Sequence, residues 1–597
     1  MTVNLSMLAG AGAQFFDNNG AVLSGGLVYT YAAGTTTPQA TYTTSAGNVA
    51  HTNPIVLNSA GRVASGGEIW LTQDQSYKFV LETSAAVTIA TYDNVTGNGS
   101  GIATGIYAAF AASSGSSLVG YIQGSTGAVA TTVQAKLRQI VSVKDFGAVG
   151  DGVANDTSAI QAAINAINSI GGGQVYFPSG TYKTGALTMY EDIAIQGAGT
   201  GQTIITPNSS GIVIFSLVKA VATYVNVSFS NFQINCGSTA TVDGIYLTLC
   251  QTTAIQNVGF YGCVNNFILD RGRFHTITDC LSSGTPVLPA GRIKIWSSSD
   301  TDYIGQVNLQ NYIVENIGNG TQDNNIYIRR CIASLFSKIN CNDVTFGAGS
   351  VFILIENDCQ GCKFTDFIFA KPAYGIIVAQ GSGVAVPPSF CTFTSVDIDQ
   401  AVSNAYWFKE SNHCQIIGGN ITASGVSTSI SPVLIDSGNE FIVIIGQYVN
   451  GYSGVNGTGY QLDNCDYVNL ISNQIVNCTF GIGFGATTTY ITAIGNLFAL
   501  CPTPLAGDPR QTGNYIVSNN GLSLSAISPA PSVPATTVAI TNTYGAPATV
   551  FITGGTGTAV VINGVTCPYL ATGYRVLPNQ TISVTYSSAP TWTWALE

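Results

Sequence analysis

The chain has 597 residues, more than one hydrophobic core usually serves, so it divides into several domains. Hydrophobic residues make up 46% and charged residues only 8%, against a usual charged share of roughly 25%. That composition excludes a helix-rich protein with charged outer faces. The net charge of −11 excludes a nucleic-acid binder, and no run is long and apolar enough to span a bilayer.

Gly, Ser, Thr, Asn and Ala replace the missing charge. They suit stacked strands and tight turns, so the expected class is all-β. The first cationic side chain is Arg62, and the start of the chain lacks the basic region of a secretory signal. The expectation is synthesis in a cytoplasm and release by lysis. The fourteen Cys show no compact disulfide framework and read as reduced, buried hydrophobes. Cys359 and Cys362 form a lone C-x-x-C with no second pair, and only His51, His275 and His413 are present. No metal site and no cofactor are expected.

Residues 1–96 alternate in short runs, such as Gly26 to Tyr31 and Glu68 to Leu71, split by Gly-Gly, Asn-Gly and Asn-Pro turns. A small all-β domain is expected. The run Gln14, Phe15, Phe16, Asp17, Asn18, Asn19, Gly20, then Gly25-Gly26, then Tyr29 to Pro38, resembles the head-binding domain of tailspikes from short-tailed phages. Asn53 to Leu57 and Gly61-Arg62 continue the likeness. The resemblance implies attachment to a virion, through phage tail or portal-adaptor proteins.

Residues 97–140 read as a connector ending in a helix from Thr131 to Ile140. Val133, Leu137 and Ile140 would share one face. Ten residues are marginal alone, and three copies packed about an axis would bury that stripe, as the neck of a homotrimer.

The next landmark is Ser142 to Gly152, followed by Asn155 to Ile164 and Gly171 to Tyr182. Asp156 is a good helix N-cap. Ile160, Ile164 and Ile167 make an apolar face, and the Gly run ends the helix. The segment resembles the opening of the pectate-lyase-like β-helix superfamily. That likeness implies a right-handed, single-stranded parallel β-helix whose first helix covers an open end.

Within an expected β-helix domain of residues 141–520, the chain repeats loosely from about 175 onward. The segments starting at Ile416, Ile444, Leu470 and Ala493 are separated by 28, 26 and 23 residues. Short β-runs with Gly and Asn turns at such periods mark a β-solenoid. Residues 521–535 are a Ser/Pro/Ala linker. Residues 536–597 return to strand patterns. Their end, Ala589 to Trp594, resembles C-terminal β-domains of phage tail proteins and implies trimer closure or carbohydrate binding.

Hydrolysis of a polysaccharide needs two carboxyl groups flanking the scissile bond. Neighbouring coils lie about 4.8 Å apart and alternate residues share a face. Aligning Phe367 beside Ile398 places Asp366 over Asp397, both outward, with Asp399 two positions on and Glu356 outward at the end of its own run. These four are the candidate catalytic residues. Asn420 continues the ladder as a sugar-binding amide. In Tyr406-Trp407-Phe408-Lys409-Glu410 the aromatics cannot all point inward, so Tyr406, Trp407 and Glu410 are candidate substrate contacts or an intersubunit patch. Arg271 and Arg273 are candidate holders of an acidic sugar.

The tailspike likeness implies a homotrimer on the virion tail. It would act at the bacterial surface on a capsule or lipopolysaccharide O-antigen, without nucleic acid or membrane insertion. Three activities stay open: an endo-acting glycosidase, a non-enzymatic adhesin, and a lyase.

Overall fold

The computed structural model describes residues 2–64, 67–97, 100–223, 226–237, 241–283, 293–315, 324–342, 350–381, 386–423, 429–509, 511, 513–517, 519–520, 525–526, 531–544, 547–569 and 573–596. Two units divide between Gln139 and Ile140.

In residues 2–97 of the first unit, short alternating runs pair into two antiparallel sheets. One has the order Val3–Leu5, Trp70–Thr72, Thr41–Tyr42. The other has Ile55–Val56, Leu27–Ala32, Tyr77–Glu82, Thr88–Val95. The period of two sends Val28, Ile55, Leu71, Tyr77 and Phe79 into a common core. A helix, Ser100–Ala111, carries no charged side chain and leaves Ile106, Tyr107 and Phe110 exposed. The helix expected from Thr131 to Ile140 is shorter, Val133–Leu137. The Thr132 hydroxyl accepts from the Ala135 amide at 3.1 Å and starts it there. Ile140 belongs instead to a strand, Ile140–Ser142, paired with Gly173–Phe177, so the three-residue helical stripe does not form.

Near the start of the second unit the helix Thr157–Ser169 buries Ile160, Ala163, Ile164 and Ile167. Asp156 precedes it but makes no capping hydrogen bond. Its carboxylate accepts from the Val149 amide at 2.7 Å and the Gly150 amide at 3.1 Å, and so pins the preceding turn. From here to Val517 the strands pair in parallel, each with the strand one coil on, in a parallel β-helix. Each coil has three sides. Val351–Glu356 lies on the first, 363–365 on the second and 367–370 on the third; the next coil answers in register with Tyr374–Ala379, 392–394 and 396–399.

Period-two alternation fills the interior with Ile, Val, Phe and Cys. Phe336, Phe364 and Phe393 stack on one another at 4.8 and 4.9 Å. None of the fourteen Cys is in a disulfide; twelve are buried, and Cys501 and Cys567 are half-buried.

The repeat seen in the sequence is the strand register itself. Ile416, Ile444, Leu470 and Ala493 are successive partners on the second side. The turn from second to third side needs one left-handed residue, and Asn257, Asp279 and Asn311 supply it with φ near +50° to +60°. Beside that turn runs a ladder of buried amides. The Gln447 amide N–H donates to Asn473 Oδ1 at 2.9 Å, Asn473 N–H to Asn496 Oδ1 at 2.9 Å, and Asn496 N–H to Asn519 Oδ1 at 2.8 Å. Before the second side, left-handed Phe390, His413, Phe441, Tyr467 and Tyr490 stack at 4.8, 4.6, 4.8 and 4.7 Å.

The C-terminal segment forms two four-stranded antiparallel sheets. Thr591–Leu596 lies between Ser525–Ala526 and Ala548–Thr553 in one of them. Trp594 is fully buried and meets Trp592 edge-on at 5.7 Å. Among the described residues no helix is long and apolar enough to cross a membrane.

Candidate functional site

The expected stack of Asp366 on Asp397 does not form. The true register sets Phe367 beside Val396 and Ile368 beside Asp397, a slip of two residues. Asp366 has φ +58° and occupies the sharp turn between the second and third sides, where short polar residues recur for conformational reasons. It lies outside the carboxylate group.

Asp397 and Asp399 do share the outward face of the third side. Two residues along a strand is about 6.6 Å. Both carboxylates are engaged by the next coil. Asn420 donates to Asp397 Oδ1 through its amide N–H at 2.9 Å and its side chain at 2.8 Å. The Thr422 hydroxyl donates to Asp399 Oδ1, and Gln400 Nε2 donates to Oδ2 at 3.1 Å. Asn420 thus stands next to the acids, as expected, and is bonded to one of them.

Glu356 is on a different side, the first, at the end of Val351–Glu356. Its Oε2 accepts from the Tyr327 hydroxyl at 2.9 Å. Burial, then the Glu356 charge, pushes the Tyr327 phenol well above its usual range. Alternation settles the aromatic run. Tyr406 and Phe408 point inward and are fully buried, so Tyr406 is core and not a sugar contact. Trp407 points outward and stacks on Tyr374 at 6.1 Å. Glu410, with φ +52°, is the corner residue that follows. Arg271 is likewise a left-handed corner residue, and its Nε lies 3.3 Å from the buried Asp270 carboxylate, so its charge is already used. Arg273 is exposed on the next strand opposite Gly305.

The register of the first side brings together a set of residues that sequence reasoning missed. Trp296, Arg329 and Glu356 are outward partners on three successive coils, with Lys294, Tyr327 and Leu354 beside them. Trp296 and Tyr327 lie 6.4 Å apart, ring to ring. Arg329 Nη2 reaches Asp300 Oδ1 at 3.0 Å. At the adjoining corner, buried Arg330 pairs with buried Asp358 at 3.4 Å and lies 4.6 Å over the Tyr303 ring, whose hydroxyl donates to Asp358. That hydrogen bond, then burial, raises the Tyr303 phenol. Breaking such a pair costs about 3–5 kcal/mol because it leaves one charge alone in the interior. Arg330 and Asp358 therefore frame the face, while Arg329 and Glu356 remain on it. Aromatic faces beside a carboxylate and a guanidinium are what a polar, ring-shaped ligand requires.

Residues 140–349 match a family model described as rhamnogalacturonase A/epimerase, pectate lyase-like. Mannuronan C5-epimerase AlgE1 of Azotobacter vinelandii is 48% identical over 86 residues, 12% of this chain and 6% of that protein. The chain therefore spans a small part of the curated relatives it matches. Among solved structures, tailspike protein 3 of bacteriophage CBA120 aligns with a TM-score of 0.44 at 13% identity, over 79% of each chain. The tailspike protein of E. coli bacteriophage HK620, solved with a pentasaccharide, aligns with a TM-score of 0.46 at 11% identity, over 83% of this chain and all of that one.

Proposed function

We propose that this chain is a phage tailspike whose β-helix binds, and cleaves by endo-hydrolysis, a polysaccharide of the bacterial surface. The observation that carries the binding is the first-side ladder, where Trp296, Tyr327, Arg329, Glu356 and Trp407 stand outward on nearby coils. A regular polymer matches a regular ladder, whose rungs are about 4.8 Å apart.

Two sets of carboxylates are candidates for the chemistry. Asp397 and Asp399 share one outward face two residues apart on the strand Thr392–Asp399, and an inverting hydrolase needs two carboxyl groups about 6.5–9.5 Å apart with a water between them. Glu356 shares its face with the aromatics instead. The decisive experiment is incubation with a panel of capsular and O-antigen polysaccharides, followed by mass spectrometry of the products. A gain of one water per cut is expected, lost in Glu356→Gln or in Asp397→Asn with Asp399→Asn. An unsaturated end would mean elimination.

A second reading is binding without cutting. It is favoured by the engagement of both Asp397 and Asp399 in hydrogen bonds between coils, which suits a structural role. Binding without products from wild type would select it.

In this reading the first 96 residues serve the virion and the β-helix serves the glycan. The charge-free helix Ser100–Ala111, with Ile106, Tyr107 and Phe110 exposed, supports packing against further copies of the chain. A homotrimer is expected, and a monomer in sedimentation at micromolar concentration would refute it.

A further inference from the structure

A chain of net charge −11 repels polyanions on the whole, so any that it binds must meet a local exception. The first side supplies one. Of 19 Lys and Arg, Lys294, Arg329 and Lys409 point outward from Ile293–Trp296, Asn324–Arg329 and Tyr406–Lys409.

Arg329 is the cation with capacity to spare. Among the described residues its only ion pair is with Asp300, whose side chain is 70% exposed, and its Nε is buried without an acceptor. One coil before it, in direct register, the Trp296 indole N–H is also buried without an acceptor, and the Trp407 indole N–H is a third such donor on this side. Leaving a buried donor unmet costs about 1–3 kcal/mol, so a ligand that draws these side chains outward by a small shift recovers that cost. Glu356, one coil beyond Arg329, engages the Tyr327 hydroxyl rather than the guanidinium.

We infer that the Trp296–Arg329 rungs of the first side bind a sugar residue carrying a carboxylate, with Arg329 as the group that takes it. This rests on the polysaccharide-binding reading above and adds the class of glycan. The planar guanidinium fork matches two carboxylate oxygens, which a Lys at the same place would not. The indole N–H of Trp296 meets a further ring or hydroxyl oxygen. Glu356 faces the sugar's hydroxyl groups, so the residue is held with its acid end toward Arg329.

The test uses the full-length protein and bacterial polysaccharides in pairs, each native and carboxyl-reduced, with affinity read by calorimetry. The bound glycans are expected to carry carboxylates, and reduction should weaken binding about tenfold to a hundredfold. Arg329→Gln should weaken the native glycan equally and weaken the reduced one far less. Arg329→Lys keeps the charge and loses the fork, and should still weaken binding about tenfold. It serves if the Gln variant does not fold. Trp296→Phe keeps an aromatic face but removes the indole N–H together with part of the ring, and should give a severalfold loss. A neutral polysaccharide bound equally well by wild type and Arg329→Gln would overturn the acidic-sugar inference and leave the polysaccharide reading intact. Binding to no member of the panel would overturn both.

Discussion

Removing the Asn496 side chain should open the β-helix locally at one turn. Asn496 Oδ1 accepts from the Asn473 amide N–H at 2.9 Å and from Asn473 Nδ2 at 3.0 Å. Its own Nδ2 donates to the Leu470 carbonyl at 2.9 Å and to Asn519 Oδ1 at 2.9 Å. Four hydrogen bonds, three buried and one partly so, at about 1 kcal/mol each sum to ~4 kcal/mol, which lies at the upper end for a single substitution. Asn496→Ala also strands the Asn473 N–H without an acceptor. Asn496→Asp does not rescue it, because the two donations are lost and a carboxylate is buried. Whole-chain unfolding of so long a protein is not two-state, so the measurement is native-state hydrogen exchange at the Asn473 amide. Exchange there should rise about a thousandfold. Thr492→Ala, on the same coil but not in the ladder, should leave it unchanged. A rise of less than tenfold in Asn496→Ala would show that the ladder contributes little.

Burial drives the His275 imidazole down to about 4, and neither ring nitrogen has a partner. The folded state therefore holds it neutral. Its contribution is fully present above pH ~6.5 and is lost, by about 3 kcal/mol in all, as the pH falls toward 4. His275→Leu should flatten the pH dependence of the unfolding rate in that window; an unchanged profile would refute it. Thiol titration should find nearly all fourteen Cys reactive after denaturation and at most Cys501 and Cys567 before it; missing thiols in the denatured protein would reveal disulfides. A chain starting at Ile140, where the second unit begins, should fold and retain glycan affinity. Loss of binding by a folded truncation would refute the division of labour.

The β-helix was legible because its grammar is short. Apolar pairs such as Ile416-Ile417 and Ile444-Ile445 precede a turn at a constant offset, and aligning them recovers the register seen in the structure. The same method failed at Asp366. Phe364, Phe367 and Phe369 offer several apolar matches to Phe393, Val396 and Ile398, and the left-handed residue between the second and third sides breaks the period of two. Without that corner the alignment slips. The Trp296–Arg329–Glu356 ladder was hidden for another reason. Its members are 33 and 27 residues apart in sequence, and the coils that separate them differ in length, so no fixed period points to them. Arg271 looked free because its partner Asp270 is adjacent and buried, which only three-dimensional packing reveals.

The amide ladder has a direction. Each backbone N–H at the turn is completed by a side chain supplied one coil later, from Gln447 through Asn473 and Asn496 to Asn519. A ribosome delivers these coils in that order. At every moment of synthesis the newest turn is unfinished and the one before it has just been closed, so the growing end presents an unpaired backbone donor to the side-chain oxygen of the next Asn. Order of emergence and order of stacking are then the same.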